Sequence, residues 1–292
     1  MEKILGFMQN STSTSNYSPF LLKGMEETLI RLVQAINNRE KIVVYGYYDL
    51  DCIGAISMLV LLLKYLNADV EYFIPDELDN NRNISLNAIR NHISFLGAKL
   101  VLTVGCGINS FSQVDFCRNH GIDVIITDYN ECSENIPNTL LINPNQSGCS
   151  YPTKNLTAAG VAYKLVQAIG FYYELKGVKK YIDLAMIGAI SKNVSSDGEN
   201  KLIIDEGMEY LSFTNNYGIR ALMKVLKVSD VENINCVKLC GSIIPKINEI
   251  ERIDNARIAV ELFTTNDKDR AEQIAKYLSN EIQSKIASVF LG

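Results

Sequence analysis

No stretch of this chain stays apolar for the ~20 residues that a membrane-spanning helix needs. The longest apolar run, Ile53 to Leu63, contains Gly54 and Ser57 and reads as a buried helix. The chain does not open with a basic segment followed by an apolar one, so no signal peptide is expected. Any Cys-x-x-Cys pair is also missing: the seven cysteines, at 52, 106, 117, 132, 149, 236 and 240, are odd in number and scattered. Scatter of this kind points to free thiols in a reducing, cytoplasmic compartment, with Cys236 and Cys240 at helical spacing as core thiols. No basic run is present, and 28 Lys and Arg against 33 Asp and Glu leave a net charge of −5. That balance argues against a protein held on DNA by general phosphate neutralisation, and any nucleic-acid contact must be local. The only histidines, His92 and His120, fall in expected helices and read as surface or satisfied residues.

What is present is a soluble-protein composition, 47% apolar and 21% charged over 292 residues. Residues 1–16 are polar and rich in Ser, Thr and Asn, and are expected to form a flexible arm. A helix is expected over Met25–Asn37, and strand and helix patterns then alternate. The expected strands are Ile42–Tyr45, Val70–Phe73, Leu100–Val104, Val124–Thr127 and Leu140–Ile142, with helices over Ile53–Leu66, Ser85–Phe95 and Ser110–Asn119. Continuous apolar strands separated by helices predict an α/β fold with a parallel, doubly wound sheet over residues 17–155. A mainly helical part follows over 156–266, with helices at Ala158–Leu175, Lys179–Ser191, Glu206–Ser212 and Gly218–Val225 and less regular patterns at Val231–Ile244 and Arg257–Phe263. A long terminal helix, Asp267–Phe290, lies within 267–292 and carries Ala271, Ile274, Ala275, Leu278 and Ile282 on one face, to pack within the chain or against a partner.

The chemistry should lie where the strands end, because ligands of open α/β sheets bind beyond the carboxyl ends of the strands. The first strand runs into Gly46-Tyr47-Tyr48-Asp49-Leu50-Asp51-Cys52, and carboxylates at i and i+2 there can converge on one divalent cation. Two other strand ends carry Gly105-Cys106-Gly107 and Asp128-Tyr129-Asn130. Simpler roles exist for each: Asp51 as the N-cap of a helix starting near Cys52, Asp128 as a turn residue, Tyr47 and Tyr48 as buried or rim tyrosines rather than base-stacking ones.

With these segments in order, the chain resembles the DHH phosphoesterases, and among them the RecJ-type single-strand exonucleases. Ser18-Pro19-Phe20 through Met25, Ile142-Asn143-Pro144-Asn145-Gln146, Tyr151-Pro152, Lys154-Asn155-Leu156, Gly198-Glu199-Asn200 and Ile244-Pro245-Lys246-Ile247-Asn248 extend the likeness well beyond the strand ends. The resemblance implies manganese or magnesium, single-stranded DNA and a second domain, which is not expected after the terminal helix here. It also locates departures. A first motif of the form Gly-Asp-Tyr-Asp-x-Asp-Gly has Tyr47 for its first aspartate and Cys52 for its last glycine; Gly105 stands where an aspartate precedes Cys-Gly; Tyr129 and Asn130 replace the two histidines; and Lys192 follows Gly188-Ala189-Ile190-Ser191 where an aspartate is expected. Only Asp49, Asp51 and Asp128 remain as metal ligands, too few to balance two divalent ions.

The resulting expectations are a catalytically inactive RecJ-like module of DNA replication or repair, binding a protein partner, a single-stranded nucleic acid, or both, with no resident cofactor. The alternative is a residual metal-dependent 5′–3′ single-strand exonuclease or a small-nucleotide phosphodiesterase, using manganese or magnesium. Lys192 is expected within ion-pair distance of at least one of the three aspartates, with a cost of about 3–5 kcal/mol on its loss if it is well buried. Lys246 and Arg252 are candidate phosphate contacts.

Overall fold

The computed structural model describes residues 17–76, 79, 81–192, 198–227, 240, 243 and 249–291. The expected arm at 1–16, most of Val231–Ile244 including Cys236, and Lys246 lie outside them. Five parallel strands form one sheet in the order β2-β1-β3-β4-β5, with β1 Ile42–Gly46, β2 Val70–Phe73, β3 Leu100–Val104, β4 Asp123–Thr127 and β5 Leu140–Ile142. In register, Ile42 faces Val70 on one side and Leu100 on the other, and Leu100 faces Asp123 in turn. This is the parallel α/β sheet that the apolar strand runs predict.

The sheet is covered on both faces, as continuous apolar strands require. Alternation along β1 sends Ile42 and Val44 into one core and Val43 and Tyr45 into the other. The larger core is closed by α1 (Met25–Asn37), α2 (Leu50–Tyr65), α5 (Ala158–Tyr172) and α6 (Ile182–Ser191). The smaller is closed by α3 (Leu86–Ala88), its π-helical continuation Ile89–Ile93, and α4 (Phe111–Asn119). The π turn replaces the regular helix expected over Ser85–Phe95. Both the amide and the hydroxyl of Ser94 donate to the Ile89 carbonyl, at 2.9 and 2.8 Å, which closes the wider turn.

The helical remainder comprises α7 (Gly198–Leu211), α8 (Tyr217–Val225), α9 (Glu249–Thr264) and α10 (Lys268–Leu291). Helix α7 begins eight residues before the expected Glu206 because its polar first turn is buried, not solvated: Glu199 and Asn200 are 1% and 0% exposed. Helix α9 likewise extends beyond Arg257–Phe263. On α10, Ala271, Ile274, Ala275 and Leu278 are buried in the main core, so this face packs within the chain.

One buried carboxylate gives the helical part a pH signature. Asp183, in the first turn of α6, accepts from the Thr214 hydroxyl at 2.6 Å and from the Leu184 amide at 2.7 Å. Burial nevertheless pushes its pKa up to about 6 from 3.8. The folded state therefore binds this proton more tightly than the unfolded chain. The associated stability is present below about pH 4 and is lost as pH rises through about 6. Melting temperatures measured across this window should show that fall in the wild type, and Asp183→Asn should flatten it.

Candidate functional site at the strand ends

Helix α2 starts at Leu50, and its N-cap is Asp49 rather than Asp51. The Asp49 backbone is extended (φ −77°, ψ 153°) and its Oδ1 accepts from the Cys52 amide at 3.2 Å. The helix begins three residues earlier than the apolar pattern from Ile53 suggests, which frees Asp51 for another task. Asp51 is fully buried and caps a different helix: its two oxygens accept from the Ala158 and Ala159 amides, at 2.9 and 2.8 Å, at the start of α5. Burial, then the neighbouring Asp49 carboxylate, raises its pKa despite those bonds.

Asp128, also fully buried, follows β4 and folds a turn around itself. Its Oδ1 accepts from the Tyr129 amide at 2.7 Å, the Asn130 amide at 3.1 Å and the Asn130 side chain at 2.6 Å, while its Oδ2 accepts from the Ile108 amide at 3.1 Å. Burial raises its pKa as well. The turn-residue role is thus real for Asp128, and Asn130 completes it.

Asp49 alone of the three forms ion pairs, and two cations hold it. Arg82 Nη1 lies 2.8 Å from Asp49 Oδ2, and Lys192 Nζ lies 3.5 Å from Asp49 Oδ1. Burial pushes the Asp49 carboxyl up, but Arg82 and Lys192 outweigh it and hold the pKa below the ordinary 3.8. Lys192 is within ion-pair distance of Asp49 and of neither other aspartate, and its ammonium sits 5.5 Å over the Tyr129 ring. Burial would lower its pKa, yet Asp49 and the Tyr129 hydroxyl raise it, so the ammonium stays charged. At 28% side-chain exposure Lys192 is not well buried. Lys192→Met should therefore cost about 1 kcal/mol rather than 3–5, read as a small drop in melting temperature.

Arg82 was not foreseen from the sequence. It is the only basic residue between β2 and α3, in the segment Asp79-Asn80-Asn81-Arg82-Asn83, and no motif marks it. Its Nε donates to the Gly105 carbonyl at 2.9 Å, its Nη2 to Cys52 Sγ at 2.9 Å, and its guanidinium covers the Tyr47 ring at 4.8 Å. The only signal for it was indirect: carboxylates gathered at strand ends call for a nearby cation.

The remaining candidates divide. Tyr47 is 4% exposed and donates from its hydroxyl to the Asn83 carbonyl at 2.9 Å, which makes it a core tyrosine. Tyr48 is half-buried, with the Arg252 guanidinium 5.3 Å over its ring, so Arg252 does reach this edge of the sheet. The Nε of Arg252 is buried without a hydrogen-bond partner among the described residues. His92 packs against Phe73 at 5.4 Å and His120 stacks on Phe116 at 3.9 Å, both apart from the carboxylates.

This arrangement of loops around the ends of a parallel sheet has known counterparts. The family model for the N-terminal domain of the DHH family matches residues 41–189. The chain belongs to the DHH family. The single-stranded-DNA-specific exonuclease RecJ of Bacillus subtilis strain 168 is 36% identical over 275 residues, covering 93% of this chain and 34% of that protein. Among solved structures, an exonuclease RecJ bound to manganese superposes with a TM-score of 0.80 at 27% identity, over 91% of this chain and 67% of that one. RecJ of Thermus thermophilus in complex with manganese gives 0.77 at 27% identity, over 91% and 38%. The chain spans about a third of the length of the Bacillus relative.

The DHH likeness implies a divalent-metal centre at these strand ends, and the donor set does not fit one. Every oxygen of Asp51 and Asp128 already accepts at least one N–H. A carboxylate so engaged must first lose those bonds to coordinate a metal, at the cost of stranding buried amides. Asp49 faces two cations that would repel an incoming ion. Among the described residues no group of three or more His, Cys, Asp or Glu side chains is placed to hold a metal.

Proposed function

We propose that this protein is a RecJ-like DHH module that holds single-stranded nucleic acid, alone or with a protein partner, without hydrolysing it, in cytoplasmic DNA replication or repair. The observation that carries the reading is the charge at the strand ends. Arg82 and Lys192 pair with Asp49, the one carboxylate of the three that forms ion pairs, and Arg252 lies nearby over the Tyr48 ring. Two-metal hydrolysis needs ions to lower the pKa of an attacking water and to balance the leaving oxygen. Side-chain cations can balance charge on oxygen but do not generate a metal-bound hydroxide, and they attract phosphate by charge and hydrogen bonding. The site therefore keeps an electropositive rim while its ligand set is spent on structure. The relatives' names support a single strand as the thing held.

The test is a labelled single-stranded oligonucleotide, followed for both retention and cleavage. Binding should survive chelation of divalent ions, weaken as salt rises, and weaken further in Lys192→Met and Arg252→Ala, while the strand stays intact with added manganese. Manganese-dependent shortening of the strand that Asp49→Ala abolishes would instead establish the residual exonuclease reading. Titration calorimetry with manganese gives an independent check, with no tight uptake expected.

A further inference from the structure

The other end of α2 carries a second cavity that the strand-end site does not use. Asp51 lies in the first turn of α2 and Tyr65 is its last residue, which separates the two places by about 20 Å at 1.5 Å per residue. The cavity, of about 370 Å³, is bounded by α2, by the 3₁₀ turn Val178–Tyr181 before α6, by the start of α8 and by the end of α9. Its wall combines three kinds of group: the rings of Tyr65 and Tyr217, the ammonium groups of Lys64 and Lys180, and the amides of Asn215 and Asn266.

Each kind is left available. Tyr65 is 65% exposed and Tyr217 38%. Lys180 lies 4.8 Å over the Tyr65 ring and 5.0 Å over the Tyr181 ring, and neither it nor Lys64 has a carboxylate partner among the described residues. The Asn215 and Asn266 side chains make no hydrogen bond among those residues. The carboxylate beside the cavity, Asp183, is 1% exposed and has both oxygens engaged, so it shapes the floor without presenting charge.

The chemistry selects a ligand. A cationic guest is disfavoured, because Lys64 and Lys180 already place two ammonium groups at the cavity wall. An anion is favoured by two lysines lacking counter-charges, and a planar heterocycle by exposed rings flanked by free amides that can both donate and accept. We infer that this cavity binds a nucleotide, its base against Tyr65 and Tyr217 within reach of the Asn215 and Asn266 amides and its phosphate at Lys64 and Lys180. The same chemistry is offered by a free mononucleotide and by a nucleotide at the end of a single strand.

Titration calorimetry on the full chain separates these sources, using deoxyadenosine monophosphate, deoxyadenosine, inorganic phosphate and a 5′-phosphorylated oligodeoxyadenylate as probes. The monophosphate should bind more tightly than deoxyadenosine or phosphate alone. Lys180→Met and Tyr65→Ala, both at exposed positions, should each weaken it about tenfold. Both losses should persist in a Lys192→Met background, in which the strand-end site is already weakened. Sensitivity to the same two variants seen only with the oligonucleotide assigns the cavity to strand ends and supports the inference equally. Absence of binding by both phosphorylated probes overturns it, as does binding indifferent to Lys180→Met and Tyr65→Ala or binding lost in Lys192→Met alone.

Discussion

Glu199→Ala should destabilise the protein by about 3–5 kcal/mol, far more than loss of any surface ion pair described above. Lys164 on α5 and Glu199 on α7 form an ion pair in which both side chains are 1% exposed. The Tyr151 hydroxyl donates to the second oxygen of Glu199, and Lys164 also donates to the Tyr17 carbonyl at 2.9 Å. Burial already outweighs Glu199 in lowering the Lys164 pKa. Removing the carboxylate takes the directly bonded counter-charge from an ammonium that is 1% exposed, which favours loss of its proton or entry of water. Denaturant titration should show the midpoint falling with little change in slope. The double variant Lys164→Met with Glu199→Leu should recover much of the loss, because an apolar pair of similar volume escapes the desolvation penalty. A Glu199→Ala protein as stable as the wild type would show that the pair is solvated in solution.

That ion pair also explains which parts of the sequence were legible. Tyr151-Pro152, Lys154-Asn155-Leu156 and Gly198-Glu199-Asn200 carry the family likeness without belonging to the catalytic motifs. In the structure they tie together: Tyr151 binds Glu199, and the Asn200 side chain donates to the Asn155 carbonyl at 2.9 Å. Gln146, in a further segment of the likeness, donates to the carbonyls of Lys23 at 3.1 Å and Leu141 at 3.0 Å. These buried polar contacts fix the loops around the strand ends, a structural role that needs no metal. The strands themselves were readable because each is a short apolar run closed by turn residues. The start of α7 was not, since a buried Glu199 looks like a solvated one until its partner Lys164 is placed. Arg82 was invisible for a related reason: its role depends on Asp49, Cys52 and Gly105, brought together only by the sheet.

Gly105→Asp, which would restore the aspartate of the RecJ-type motif, should destabilise the protein by about 2–5 kcal/mol and should not restore metal binding. Gly105 adopts φ +62°, a left-handed conformation that L side chains rarely take. A Cβ there would lie 2.7 Å from the Ala158 Cβ and 3.0 Å from Cys52 Sγ. The space an aspartate needs is thus filled by Ala158 and by Cys52, which itself stands where the motif has glycine. The two departures compensate each other: a larger residue on α2 faces a smaller one after β3, and Arg82 bonds both, through Cys52 Sγ and the Gly105 carbonyl. A double-mutant cycle should reveal this. Cys52→Gly opens a small void, Gly105→Asp overfills the same space, and the pair together should be more stable than the sum by about 0.5–3 kcal/mol. Strict additivity of the two changes in melting experiments would refute the coupling. If the coupling holds, reverting Gly105 alone does not make room for a ligand: its surroundings are already packed, and Arg82 and Lys192 would still face an incoming ion.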